Sequence, residues 1–310
     1  MSYSASPLWA DIVPLPQDDG PGQPLAAIAY SEKYSEAMSY LRAVMASNEM
    51  SERALDLTSD IIALNPAHYT VWLYRVRILL TLKKDLHAEL SWMNPVALVH
   101  LKNYQIWHHR QTIINALNNP DGETDFISKM FAKDAKNYHV WSYRQWLVKR
   151  FSLWDAGELE FTEQMLKEDV RNNSAWNHRW YVVFGRGDEA FADPDIVMRE
   201  VFFTQQSIRL APQNPSPWNY LRALARRASG PAALPLSSLQ PFANTFAPLS
   251  APDAVKSTHA LDLLAEIHSE NEADKDKAYQ ALELLATRYD PIRANYWNYR
   301  RATLEGVKTV

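Results

Sequence analysis

The chain has 310 residues, 47 % of them hydrophobic, enough to enclose a sizeable core in one large domain or two ordinary ones. Its formal charge of −4 argues against nucleic acid or an anionic membrane as the main partner, since neither attracts an acidic surface. With no cysteine, the chain can hold no thiolate nucleophile, no disulfide framework, no Cys-rich zinc site and no iron–sulfur cluster.

From Met1 to Trp9 there is neither the basic start nor the apolar run of a secretory leader. No uncharged apolar stretch reaches the ~18–20 residues that span a bilayer. A soluble, cytoplasmic protein with no transmembrane segment is expected. Residues 1–30 place Pro14, Pro16, Pro21, Gly22 and Pro24 around Asp18-Asp19-Gly20 and read as an extended arm. Residues 31–310 read as a single helical-repeat domain.

The first clear helix is Arg53–Leu64, where Ala54, Leu57, Ile61 and Leu64 form an apolar stripe. Asn65-Pro66 stops it, because proline disfavours helix before itself and cannot extend the hydrogen-bond ladder. A second helix carries Trp72, Val76 and Leu79 on one face. Further on, Phe126, Ile127, Met130 and Phe131 line another first helix, and Trp141, Leu147 and Val148 belong to its partner. Residues 229–252, with prolines at 231, 235, 241, 248 and 252, read as a long connection or short irregular turns.

These pairs repeat. Asn65-Pro66-Ala67-His68-Tyr69-Thr70-Val71-Trp72-Leu73-Tyr74-Arg75 is echoed around Trp107, Trp141 and Trp176, and more weakly around Trp218 and Trp297. The six tryptophans lie 35, 34, 35, 42 and 79 residues apart. The last interval is two periods, so a degenerate unit without tryptophan is expected near residues 250–270. Strand signals are nearly absent. The reading is an all-α fold, an α/α superhelix of about seven hairpins, in which each unit buries its apolar face only by stacking on the next, as in tetratricopeptide solenoids.

The repeated Trp-x-x-Arg puts both side chains on one helix face. Trp72, Trp107, Trp141 and Trp176 read as wedges between hairpins. Arg75, Arg110, Arg144 and Arg179 read as their polar companions, paired with a carboxylate or laid on an aromatic ring. At the fifth copy Leu221 takes the arginine's place and Arg222 comes one residue late, so that clamp should differ. Lys102 and Lys136 stand before Asn-Tyr at the starts of second helices, where unpaired N–H groups and the helix dipole favour anions. His108-His109 invites a metal reading, but adjacent helical residues point about 100° apart and do not converge on one ion. No phosphate-binding glycine loop is present, with 8 glycines in all. On its residues alone the chain lacks a complete catalytic apparatus and reads as a scaffold.

Two stretches carry a resemblance: Asp134-Ala135-Lys136-Asn137-Tyr138-His139-Val140-Trp141, and Lys167-Glu168-Asp169-Val170-Arg171-Asn172-Asn173-Ser174-Ala175-Trp176-Asn177. With the segment Trp9–Pro21, they resemble the α subunit shared by protein farnesyltransferase and protein geranylgeranyltransferase type I, and the likeness runs from about residue 8 to 300. The resemblance implies a right-handed crescent of helical hairpins around a catalytic β subunit, in a heterodimer that joins farnesyl or geranylgeranyl from its diphosphate to the cysteine of C-terminal CaaX proteins. It implies zinc on the β subunit and no cofactor on this chain, and it leaves magnesium at the diphosphate open. Lys136 matches the family's diphosphate contact and Tyr138 a position near the same phosphates. Tyr104 and His139 match positions facing the CaaX carboxyl end. Arg144, Asn172 and Trp176 match positions where function is sensitive to change, Asn172 being also a candidate substrate contact, although holding the hairpins in place accounts for them equally well or better. Two alternatives stand beside this reading: the α subunit of the Rab geranylgeranyltransferase, and a non-catalytic tetratricopeptide-like adaptor.

Overall fold

Asparagines and serines start seven of the fifteen α-helices among the described residues. In the computed structural model, which describes residues 2–18, 20–22, 25–26 and 28–304, Ser31 and Ser51 accept the Tyr34 and Ala54 amides on their hydroxyls. Asn103, Asn137, Asn172 and Asn214 do the same with their side-chain oxygens for the four helices that follow them. Each cap satisfies one or two of the N–H groups that a helix start leaves unpaired.

The described residues form fifteen α-helices and no strand. None is long and apolar enough to cross a membrane. The chain divides into two compact units, Met1–Ser152 and Leu153–Val310, a boundary that falls inside the repeat region. The first unit holds α1 (Glu32–Ala46), α2 (Glu52–Leu64), α3 (Tyr69–Thr81), α4 (Leu86–Val99), α5 (Tyr104–Leu117), α6 (Glu123–Phe131) and α7 (Tyr138–Phe151). After α1, these pair as hairpins α2/α3, α4/α5 and α6/α7, with α3, α5 and α7 side by side. The second unit holds α8 (Glu158–Glu168), α9 (Asn173–Phe184), α10 (Pro194–Leu210), α11 (Pro215–Arg227), α12 (Gln240–Asn244), α13 (Thr258–Ser269), α14 (Lys275–Leu284) and α15 (Ala294–Leu304). These pair as α8/α9, α10/α11, α12/α13 and α14/α15. Seven hairpins result, and α12/α13 is the unit without tryptophan.

The α2 stripe is buried at Ala54, Leu57 and Ile61, but Leu64 is 37 % exposed. It lies on the same face as Leu57 but closes the last turn of α2, just before Asn65-Pro66 ends the helix. The proline-rich stretch folds into short 3-10 turns, Gly230–Ala232, Leu236–Leu239 and Pro252–Ala254, with α12 between them. It is no free loop, since Phe242 and Phe246 pack on Trp218 at 5.9 and 5.7 Å. In the N-terminal arm, a turn at Pro7–Trp9 sinks Trp9 against Tyr3 and Tyr40, with ring centroids 5.4 Å away. Arg53 of α2 lies over the same indole and pairs with Asp11 at 2.6 Å. The arm is thereby strapped to α1 and α2.

Candidate functional site: a buried clamp and a row of helix starts

The Trp-x-x-Arg copies build a clamp between successive hairpins. Arg75 grips Glu89 of the next hairpin through two hydrogen bonds, 2.7 and 2.6 Å. Arg110 grips Glu123 at 2.7 and 2.6 Å, and Arg179 grips Glu200 at 2.7 and 2.8 Å. Each guanidinium also lies on an aromatic ring three residues after its glutamate: Trp92, Phe126 and Phe203, at 3.8, 3.5 and 3.7 Å. The glutamate's own hairpin supplies a second partner, two residues after its tryptophan. His109 meets Glu89 at 2.7 Å, Tyr143 donates to Glu123 at 2.5 Å, His178 meets Glu158 at 2.8 Å and Tyr220 donates to Glu200 at 2.7 Å.

The arginines, glutamates and their histidine and tyrosine partners are buried, and Trp92 and Phe203 are partly so. A buried pair of this kind fixes how one hairpin docks on the next more than it adds net stability. Two of the eight glycines serve it. Gly122 and Gly157, both with φ +82°, occupy the left-handed region just before Glu123 and Glu158 and turn those glutamates inward. Arg144 is buried in the same register. At the fifth copy Leu221 is fully buried, and Arg222 reaches the half-exposed pair Asp262 and Glu266 at 3.0 and 3.1 Å, so that clamp does differ.

Sequence reasoning missed the four glutamates. A signal existed: Glu89, Glu123, Glu158 and Glu200 are spaced 34, 35 and 42 residues apart, the same intervals as Trp107, Trp141, Trp176 and Trp218. Each is also followed three residues later by an aromatic, Trp92, Phe126, Phe161 or Phe203.

The tryptophans are wedges that also tie down the turns before their helices. Trp72, Trp141, Trp176 and Trp218 donate their indole N–H to the carbonyl six residues earlier, at 2.8 to 2.9 Å. Trp107 breaks the pattern and has no acceptor.

In the first unit the starts of α5 and α7 adjoin. Asn137 donates to the Leu101 carbonyl at 2.9 Å. The His139 ring lies edge-on to Tyr104, 4.2 Å between centroids, and hydrogen bonds the Lys102 backbone. Burial lowers the His139 pKa from its ordinary value, only partly offset by that bond. Four sequence-predicted residues therefore share one edge: Tyr104 and Tyr138 are 68 and 69 % exposed, Lys136 is exposed and His139 is half-buried. Lys102 is exposed on the neighbouring turn. Asn172, in the second unit, is buried and spent on capping α9.

Two lysines beside two helix N-termini can bind an anion and stabilise negative charge that develops on it. None of the residues named on this edge is a cysteine, serine or threonine. His109 and His178, the histidines of the clamp, are buried and each is held by a glutamate. Among the described residues no three His, Cys, Asp or Glu side chains converge as a metal site.

The protein prenyltransferase alpha subunit repeat matches residues 51–82, 86–117, 120–151, 155–185 and 197–228, hairpin for hairpin from α2/α3 to α10/α11. A Candida albicans protein farnesyltransferase/geranylgeranyltransferase type-1 subunit alpha is 39 % identical over 308 residues, 96 % of this chain and 98 % of its own length. The chain belongs to the protein prenyltransferase α-subunit family. Its likeness to that family extends beyond the matched repeats to α12–α15. The Dictyostelium discoideum subunit of the same name is 36 % identical over 97 % of this chain and 94 % of its own length. A solved Candida albicans protein geranylgeranyltransferase-I complexed with GGPP superposes with a TM-score of 0.86 at 38 % identity, covering 95 % of this chain and 98 % of that one.

Proposed function

We propose that this chain is the α subunit of a heterodimeric protein prenyltransferase. With one β subunit the dimer transfers farnesyl, and with another geranylgeranyl, from the diphosphate to the cysteine of CaaX-terminated proteins. The observation that carries this reading is the near end-to-end likeness to the shared subunit of the type-1 enzymes.

Within the dimer, Lys136 contacts the diphosphate. Charge accumulates on the departing diphosphate as the carbon–oxygen bond breaks, so a fixed cation stabilises the transition state more than the bound substrate. Tyr138 stands two residues on, with its ring in the open, and supplies a hydroxyl donor to the same phosphates. Tyr104 and His139, joined edge to face, line the side toward the CaaX carboxyl end.

Zinc chemistry is assigned to the β subunit, where the ion lowers the pKa of the substrate thiol. Among this chain's described residues no three His, Asp or Glu side chains converge to hold such an ion. The test is co-expression with a type-1 β subunit. A stable 1:1 complex that prenylates a CaaX peptide is expected. A chain that stays monomeric, ignores β subunits and captures unprenylated peptide tails contradicts the proposal and favours the adaptor.

A further inference from the structure

The turn that carries Lys136 has an acid, an indole and an asparagine cap holding it, and the neighbouring turn that carries Lys102 has the asparagine cap but neither of the other two. The Lys136 amide N–H donates to Asp134 Oδ1 at 3.0 Å. On one side, the Ala135 carbonyl accepts the Trp141 indole N–H at 2.9 Å. On the other, Asn137, 2 % exposed, takes the His139 and Val140 amides on Oδ1 at 3.0 and 3.4 Å. Its Nδ2 donates to the Leu101 carbonyl at 2.9 Å. Three consecutive residues centred on the lysine thus have backbone groups or side chains fixed, and the origin of its side chain is fixed with them.

At Lys102 the residue two before is His100, not an acid, and the Trp107 indole N–H finds no carbonyl. Among the described residues, the acid and indole contacts recur together under another cation. Arg171 donates its amide to Asp169 Oδ1 at 2.9 Å, and Trp176 holds the Val170 carbonyl at 2.9 Å. The corresponding turn Ala211–Asn214 has neither the acid nor the cation.

We infer that Asp134 is a positioning residue for Lys136, acting through the shape of the turn. This rests on the reading of Lys136 as the diphosphate contact. As a charge, Asp134 would work against an anion site, because a carboxylate two residues from the lysine weakens the attraction for phosphate. As a hydrogen-bond acceptor, it closes the turn and limits where the lysine can start. Misplacing a catalytic group by a fraction of its reach costs rate even when binding survives.

The test uses the intact heterodimer in single-turnover assays, with Asp134→Ala, Asp134→Asn, Lys136→Ala and the Asp134→Ala/Lys136→Ala double variant. Asp134→Ala is expected to slow transfer about tenfold while KM for the CaaX peptide stays unchanged. Asp134→Asn keeps an oxygen for the same N–H and should retain the wild-type rate. In the Lys136→Ala background the Asp134→Ala change should add nothing. Wild-type transfer by Asp134→Ala, with Lys136→Ala slow, overturns the inference and leaves the role of Lys136 standing. Asp134→Asn as slow as Asp134→Ala, or a full further loss in the double variant, also overturns it. Lys136→Ala at the wild-type rate instead removes the reading on which the inference rests.

Discussion

Arg110 and Glu123 meet in a two-point ion pair at 2.7 and 2.6 Å, with both side chains 2 % exposed. Removing one partner strands the other charge in the core. Glu123→Ala should cost about 3–5 kcal/mol, read as a lowered denaturant midpoint. The apolar pair Arg110→Met/Glu123→Leu should cost less than either single change, because no buried charge is left without a partner. A single variant as stable as the wild type contradicts a clamp.

The clamp also carries a pH dependence. Burial pushes the His109 imidazole below its ordinary value, outweighing its hydrogen bond with Glu89. Burial opposes the ionised Glu89 carboxylate, but hydrogen bonds from His109 and Arg75 outweigh it and hold that carboxyl below the usual range. As pH falls past about 6.5, the unfolded chain protonates this histidine while the folded one does not. Stability therefore declines toward acid, by at most about 1.4 kcal/mol per pH unit for this group. The contribution of Glu89 has the same sense but is lost only at lower pH, below the ordinary carboxylate range. Denaturant midpoints between pH 7.5 and 5.5 should fall in the wild type and fall less steeply in His109→Gln. Equal slopes would contradict the assignment.

Trp107 and Trp141 occupy equivalent places, yet only Trp141 finds an acceptor for its indole N–H. Both lose ring volume on replacement by phenylalanine, but only Trp141→Phe also leaves a carbonyl without its indole donor. Trp141→Phe should therefore destabilise by about 1 kcal/mol more than Trp107→Phe, measured by equilibrium unfolding. The reverse order would show that the orphaned donor is not what distinguishes the two sites.

The repeat was legible because tryptophan is rare and large, so its spacing stands out against a varied background. The unit without tryptophan, α12/α13, followed from the doubled interval before Trp297. The clamp glutamates were not legible one at a time. A glutamate in an amphipathic helix ordinarily faces water, and only the guanidinium arriving from another hairpin makes it a core residue. Their shared spacing with the tryptophans, and the aromatic three residues later, were readable but only as a set. Leu64 misled because residue type places it on the stripe but does not show which end of a helix its neighbours leave uncovered. At the candidate site the sequence marked Lys136, Tyr138, Tyr104 and His139 as helix-start residues. Their meeting on one edge depends on the contacts of Asn137 with Leu101 and of His139 with Tyr104, which join residues some 35 positions apart.

The account turns on Lys136 as a cation offered to a departing diphosphate. The most direct measurement is the single-turnover rate of a Lys136→Ala heterodimer at saturating isoprenoid diphosphate and CaaX peptide. Loss of one charge-assisted hydrogen bond, about 1.5–3 kcal/mol in the transition state, predicts a rate about 10- to 100-fold slower in a complex that still assembles. A Lys136→Ala complex that transfers at the wild-type rate would contradict the account.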